Sequence, residues 1–218
     1  MNIARLSKEE ILKRHFFKCV HGHTGIEHPN CYDQANSKKE RLGYIDIEAS
    51  NLKADFMVIL TICIKEDGGK VWARTITPKE LKSDTLDRGV IADTIEEMRK
   101  YDRLIGYYST RYDIPSIRTR ALLYKLNFPT YKEVKHTDAY YIVRNKLNLH
   151  RNRLETACEF LGIPAKGHRL SPVIWTKALT GDKKSLKHIE LHCKEDVKSL
   201  EALYKRVVEY SAPNNKSI

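Results

Sequence analysis

Three short stretches carry side chains that could act together on a substrate. In Gly43-Tyr44-Ile45-Asp46-Ile47-Glu48-Ala49-Ser50-Asn51, strand formers surround two carboxylates, and turn-type residues close the run. Side chains alternate along a strand, so Asp46 and Glu48 share one face while Ile45 and Ile47 take the other. Like charges this close raise one another's pKa unless a cation lies between them, and Mg²⁺ or Mn²⁺ is the hard ion that such oxygens prefer. The competing reading is an edge strand with two solvated acids. In Tyr112-Asp113-Ile114-Pro115 a loop turns into a helix, with Pro115 in its first turn. On local grounds Asp113 is most simply a helix N-cap. Near the end of the chain, His188, His192, Asp196 and Ser199 recur at spacings of three and four, on one face of a long helix. The adjacent stripe Val197, Leu200, Leu203 and Val207 brings Asp196 to the edge of the core.

A second kind of chemistry sits nearer the N-terminus. Cys19, His21, His23, His28 and Cys31 fall within thirteen residues, with Gly22, Gly25 and Pro29 to fold the segment back on itself. Thiolate and imidazole are the ligands of zinc, and these separations suit short metal-binding turns. Cys19, His28 and Cys31, completed by His21 or His23, would form a closed structural site. The alternative is a surface loop rich in His and Cys.

The elements that must hold these residues can be read in order. Ser7 and Glu10 open a short helix whose apolar and ligand-type residues recur through Cys19. Asp33 to Arg41 is polar and reads as a join. Phe56 to Ile64 is an almost unbroken apolar run, expected to be a strand buried on both faces. Asp67-Gly68-Gly69 is a hairpin signal returning the chain along Val71 to Ile76, so the carboxylate strand begins an antiparallel meander of three. Thr77-Pro78 starts a helix; Val90, Ile91, Ile95 and Met98 give the next its apolar stripe; Leu104 to Tyr108 is a short strand. The helix from Asp113 carries Ile117, Leu122 and Leu126. Further helices span Asn152 to Gly162, Ser171 to Gly181, and about Lys184 to Tyr210. Domain boundaries are expected at residues 1–40, 41–212 and a tail at 213–218.

The chain has 218 residues, 41% hydrophobic, with 39 basic against 28 acidic side chains, a net charge of +11. That excess points to a polyanionic partner, most simply nucleic acid. A basic amphipathic helix with a broad apolar face is lacking, as are a membrane-spanning run and a signal-peptide core, so the expectation is a cytoplasmic protein with no membrane association. Five cysteines, an odd number, fit a reducing compartment.

Taken together, the acidic segments resemble the DEDD superfamily of 3′–5′ exonucleases, in particular the proofreading exonuclease domain of family B DNA polymerases. Asp46-x-Glu48 matches the first motif, Tyr112-Asp113-Ile114-Pro115 the second, and Cys193-Lys-Glu-Asp196-Val197 the third, over roughly Leu42 to Tyr210. The resemblance implies an α/β RNase H-like fold: a mixed sheet with a three-strand antiparallel meander plus parallel strands, flanked by helices. To this the N-terminal helix and zinc knuckle are added. It implies two catalytic Mg²⁺ or Mn²⁺ ions on Asp46, Glu48, Asp113 and Asp196, and release of nucleoside 5′-monophosphates from single-stranded DNA or RNA 3′ ends. Two positions depart from the pattern. Tyr108 stands where the family usually has asparagine. His192 lies four residues before Asp196, where tyrosine is usual, or histidine at five. Four residues stack His192 over Asp196, making it the candidate general base. Arg111, Arg118, Arg120, Arg151, Arg153, Lys166 and His168 are candidate phosphate contacts. Tyr108 and Tyr112 are candidate base-stacking residues, with Tyr112 equally readable as core. A structure-selective RNase H-like endonuclease and a catalytically weak nucleic-acid-binding module remain open alternatives.

Overall fold

The computed structural model describes residues 6–36, 40–164 and 167–211; Lys166 and the tail at 213–218 lie outside them. The chain divides into two compact units, Met1–Lys39 and Glu40–Ile218. Glu40 goes with the second because its carboxylate joins Arg103 at 2.7 Å and Lys135 at 2.6 Å.

The first unit contains helix α1 (Lys8–Phe16) and helix α2 (Pro29–Asn36). Ser7 caps α1 by accepting the Glu10 N–H at 3.2 Å, while the Glu10 carboxylate pairs forward with Arg14 rather than back to the cap. Cys19 is not on this helix, contrary to its spacing. Its N–H donates to His23 O and Lys18 bridges Thr24, which draws the segment into a tight turn instead. Part of the expected polar join, Asp33 to Asn36, is helical; Pro29 at the first position was the overlooked signal.

The second unit is built on a five-stranded sheet in the order β3-β2-β1-β4-β5. Strand β1 (Leu42–Ala49) lies at its centre, antiparallel to β2 (Ile59–Glu66), which in turn pairs with β3 (Val71–Thr75). Gly68, at φ +65°, supplies the left-handed residue of that hairpin. Helices α3 (Pro78–Leu81) and α4 (Arg88–Met98) lead to β4 (Arg103–Gly106), parallel to β1. Helix α5 (Asp113–Leu123) precedes β5 (Lys135–Asp138), parallel to β4, and α6 (Ala139–Lys146) follows at once. Helices α7 (Leu154–Phe160), α8 (Pro172–Leu179) and α9 (Lys183–Val207) complete the unit, with a 3₁₀ turn at Val208–Tyr210.

The central sheet separates two apolar clusters. Ile45, Ile47, Ile62 and Ile64 pack with Ile91, Ile95, Ile114 and Ile117 of α4 and α5. Tyr44, Cys63 and Ile105 pack on the other side with Cys193, Val197 and Leu200 of α9. Strand β2 is therefore buried on both faces, as its apolar run predicts, but it begins at Ile59; Phe56 is 79% exposed. On α5 the buried face is Ile114, Ile117 and Ala121, while Leu122 points to solvent. Arg120, read as a candidate phosphate contact, is buried instead. It pairs with Asp87, whose Oδ2 also accepts the Ile59 N–H at 2.8 Å, so the ion pair ties α5 to the start of β2. Strand β5 is too short and polar to have been read as a strand: Lys135-His136-Thr137-Asp138 gains its place by pairing with β4.

Candidate active site

Alternation along β1 sets Asp46 and Glu48 on the side of Tyr44, toward α9, and their register partners on β2 are Cys63 and Thr61. Helix α9 is held against this point by Cys193, wholly buried, whose thiol donates to the Asp46 carbonyl at 3.4 Å. His192, the residue before Cys193, and Asp196, three residues after it, are thereby carried over the two strand carboxylates. His192 Nε2 lies 3.6 Å from Glu48 Oε1 and 3.5 Å from Asp196 Oδ2. Glu48, His192 and Asp196 each offer a ligand atom within 4.8 Å of the others, a spacing one cation can bridge.

Asp113 arrives from a third element. It is the first residue of α5 rather than its cap, and its Oδ1 accepts the Ile47 N–H at 3.2 Å. This sets a third carboxylate against the backbone between Asp46 and Glu48. The loop that delivers it is fixed by Gly106 and Asp138. A side chain at Gly106 would meet the Ser109 hydroxyl at 2.1 Å, so only glycine lets the chain double back there. Asp138 accepts the N–H groups of Tyr108 at 2.8 Å and Thr110 at 2.9 Å, and caps α6 through the N–H of Tyr140. Tyr108 thereby adopts φ +62°, a left-handed conformation that asparagine tolerates better than tyrosine.

The electrostatics of this cluster are those of acids short of a counter-charge. Burial pushes the Asp46 carboxyl well above the usual carboxylate range, and Asp196, Glu48 and Asp113 push it further. Asp113 is raised to about 7, chiefly by burial; the backbone N–H bonds from Ile47 and its own amide oppose this, and Asp138 and Asp196 add to it. Asp46 Oδ2 is buried with no hydrogen-bond partner among the described residues. A buried carboxylate oxygen left open in this way fits a divalent cation, and the oxygen-rich donor set fits Mg²⁺ or Mn²⁺.

His192 is oriented from behind. Its Nδ1–H donates to the backbone carbonyl of His168, which leaves the Nε2 lone pair facing the acids. His168 is itself clamped by Glu195, which takes its backbone N–H at 3.0 Å and its ring Nδ1 at 2.6 Å. The ring of His168 is thus engaged with Glu195 and does not stand free as a phosphate contact. Sequence reasoning missed Asp138 and Glu195. Asp138 at a strand-to-helix junction was a readable cap signal, whereas the partner of Glu195 lies 27 residues away.

The remaining candidates are scattered. Tyr108 is 47% exposed and packs edge-on to Tyr140 at 4.9 Å. Tyr112 is half-buried against the α4/α5 cluster and donates to Asn51 O at 3.0 Å, so it belongs to the core margin rather than to a stacking surface. Arg118 lies over the Phe128 ring at 5.3 Å, about 140° around α5 from Asp113, and is not brought to the acids. Arg111, Arg151 and Arg153 are exposed. In the first unit, Cys19, His21, His28 and Cys31 come together and His23 does not join them.

The fold and the acidic cleft define a class of protein. The model of the RNase H superfamily matches residues 43–208, and the chain belongs to that superfamily. Among solved structures, one similar chain is the family B DNA polymerase of the hyperthermophilic archaeon Pyrobaculum calidifontis. It has a TM-score of 0.64 and 17% identity, over 79% of this chain and 25% of the polymerase. The protein therefore spans about a quarter of that polymerase's length, and the likeness is one of fold. A search of curated proteins finds no significant match. Membership of the superfamily supports a nuclease, a hydrolase acting on nucleic acid. No helix among the described residues is long and apolar enough to cross a membrane.

Proposed function

We propose that the protein is a metal-dependent 3′–5′ exonuclease that removes nucleoside 5′-monophosphates from single-stranded DNA or RNA ends. The observation that carries this reading is the meeting of acids from β1, α5 and α9, with the Asp46 carboxylate buried and incompletely partnered. The three motifs that resemble proofreading exonucleases supply these same residues, and the net charge of +11 suits a polyanionic substrate.

Asp46, Glu48, Asp113 and Asp196 would hold two Mg²⁺ or Mn²⁺ ions, which when bound acidify the attacking water and stabilise the departing 3′-oxygen. The raised carboxyls of Asp46 and Asp113 give up their protons when a cation replaces them as counter-charge. His192 acts as general base. With Nδ1–H committed to the His168 carbonyl, its Nε2 accepts the proton of the water whose oxygen bonds to phosphorus. The bond from phosphorus to the 3′-oxygen breaks, and that oxygen is protonated from solvent. Tyr108, exposed beside Tyr140, offers a face for the terminal base, and Arg153 at the start of α7 offers charge to the strand. Arg118 and Tyr112, turned to other contacts, have no part in this reading.

A 5′-labelled single strand incubated with Mn²⁺ tests it. A ladder shortening from the 3′ end is the expected result. Internal cuts would mark an endonuclease, and a retarded but intact strand a binding module; either would overturn the assignment.

A further inference from the structure

The first unit has too little core to explain its order. Among its described residues only Cys19 and Tyr32 are buried apolar side chains, with Arg14 buried beside them and its guanidinium 4.3 Å above the Tyr32 ring. Domains below about 40 residues ordinarily need a disulfide, a metal or a partner to fold. No disulfide is present among the described residues: Cys19 and Cys31 are both free thiols.

The same two cysteines form a closed four-membered arrangement with two histidines. Cys19 Sγ lies 3.7 Å from Nδ1 of His21 and 3.7 Å from Nδ1 of His28. Cys31 Sγ lies 3.7 Å and 3.8 Å from the same two nitrogens. Hydrogen bonding explains this poorly, because each Nδ1 has a single in-plane site, a proton or a lone pair, and faces two sulfurs at nearly equal distance. A tetrahedral ion explains it well. Zinc takes thiolate at about 2.3 Å and imidazole at about 2.0–2.1 Å, so the sulfur-to-nitrogen edges of its tetrahedron are about 3.5–3.6 Å. The four measured edges are uniform and within a few tenths of an ångström of that length.

We propose that Cys19 and Cys31, through sulfur, and His21 and His28, through Nδ1, form a closed tetrahedral zinc site that holds the first unit folded. The local chain is arranged for it. Gly22, at φ +82°, turns the backbone so that its N–H returns to Cys19 O at 2.8 Å, and the N–H groups of His21 and His23 donate to the Cys19 sulfur. Pro29 starts α2, which presents Cys31 in its first turn. Tyr32 then packs so tightly on Gly25 that an added Cβ would lie 2.6 Å from its ring. His23 is excluded; its ring packs on His28 at a centroid distance of 4.3 Å. Four protein ligands leave no place for water or substrate, so the ion's part is structural. This inference is independent of the nuclease reading.

Metal analysis of the full chain, purified without chelator, should find one zinc per chain in both the natural protein and the His23→Ala variant. Cobalt substituted at this site, with excess Mg²⁺ present to occupy the acidic cleft, should give thiolate-to-metal charge-transfer bands and the intense visible bands of a tetrahedral ion. Cys31→Ser should halve the charge-transfer intensity, and Cys19→Ser with Cys31→Ser should abolish it. Should the cysteine variants fail to fold, titration of the natural protein with an organomercurial should release one zinc as two thiols react. Loss of metal in His23→Ala equal to that in Cys31→Ser would overturn the assignment. So would a weak, octahedral cobalt spectrum, or thiols that react without zinc release.

Discussion

Replacing Asp113 with asparagine separates a metal-binding carboxylate from a helix-capping one. The amide retains an oxygen for the Ile47 N–H but carries no charge, so a residue that serves only to hold β1 and α5 together should tolerate the change. The structure predicts more than tolerance. A carboxyl raised by burial from 3.8 to about 7 costs on the order of 4 kcal/mol to keep ionised at pH 8. The sign follows from a folded-state pKa above the unfolded one. The favourable contribution is complete below about pH 4, and it is lost as pH rises through about 7. Metal-free natural protein should therefore lose stability across that window, and Asp113→Asn should flatten the decline. Allowing for relaxation around the site, a net gain of about 2 kcal/mol at pH 8 corresponds to a rise of roughly 4–8 °C in Tm. Thermal unfolding in chelator at pH 5 and pH 8 reads this directly. In Mn²⁺ the order should reverse: the natural protein should gain more Tm than the variant, and the variant should lose at least about 10²-fold in nuclease rate. A variant no more stable than the natural protein at pH 8, with activity within threefold, would show that Asp113 only holds β1 and α5 together and that the charge argument is wrong.

His192→Ala should depress the rate to a similar extent with Mg²⁺ and with Mn²⁺, as expected when the imidazole serves as the base. If imidazole instead ligates one cation, as its spacing to Glu48 and Asp196 permits, the loss should fall mainly on Mn²⁺, the ion more tolerant of nitrogen. Arg120→Met should destabilise the fold by about 3–5 kcal/mol, because it strands the buried Asp87 carboxylate, while activity per folded molecule at low temperature stays unchanged. A selective loss of substrate affinity with normal denaturant stability would restore Arg120 as a phosphate contact.

Much of the second unit was legible because its signals are local. Period-two alternation set Asp46 and Glu48 apart from Ile45 and Ile47, the unbroken apolar run marked a doubly buried β2, and Asp67-Gly68-Gly69 marked the hairpin. Helix spacing alone stacked His192 over Asp196. Strand β5 was not legible, because a four-residue polar segment becomes a strand only when β4 offers it a hydrogen-bonding edge. Local pattern also misassigned Arg120 and Leu122: apolar spacing does not reveal that Asp87 waits in the core for a guanidinium.

The sequence by itself determined which residues could ligate and in what order, since side-chain chemistry and short-range periodicity are properties of a few consecutive residues. Tertiary structure decided what those residues do together. It placed Asp113 on the Ile47 amide of a remote strand as well as on its own amide, drew His21 rather than His23 toward the two sulfurs, and anchored His192 through His168 and Glu195. Each of those choices depends on atoms remote in the chain or on the exact turn of a loop, and such distances are set only when the whole core packs at once.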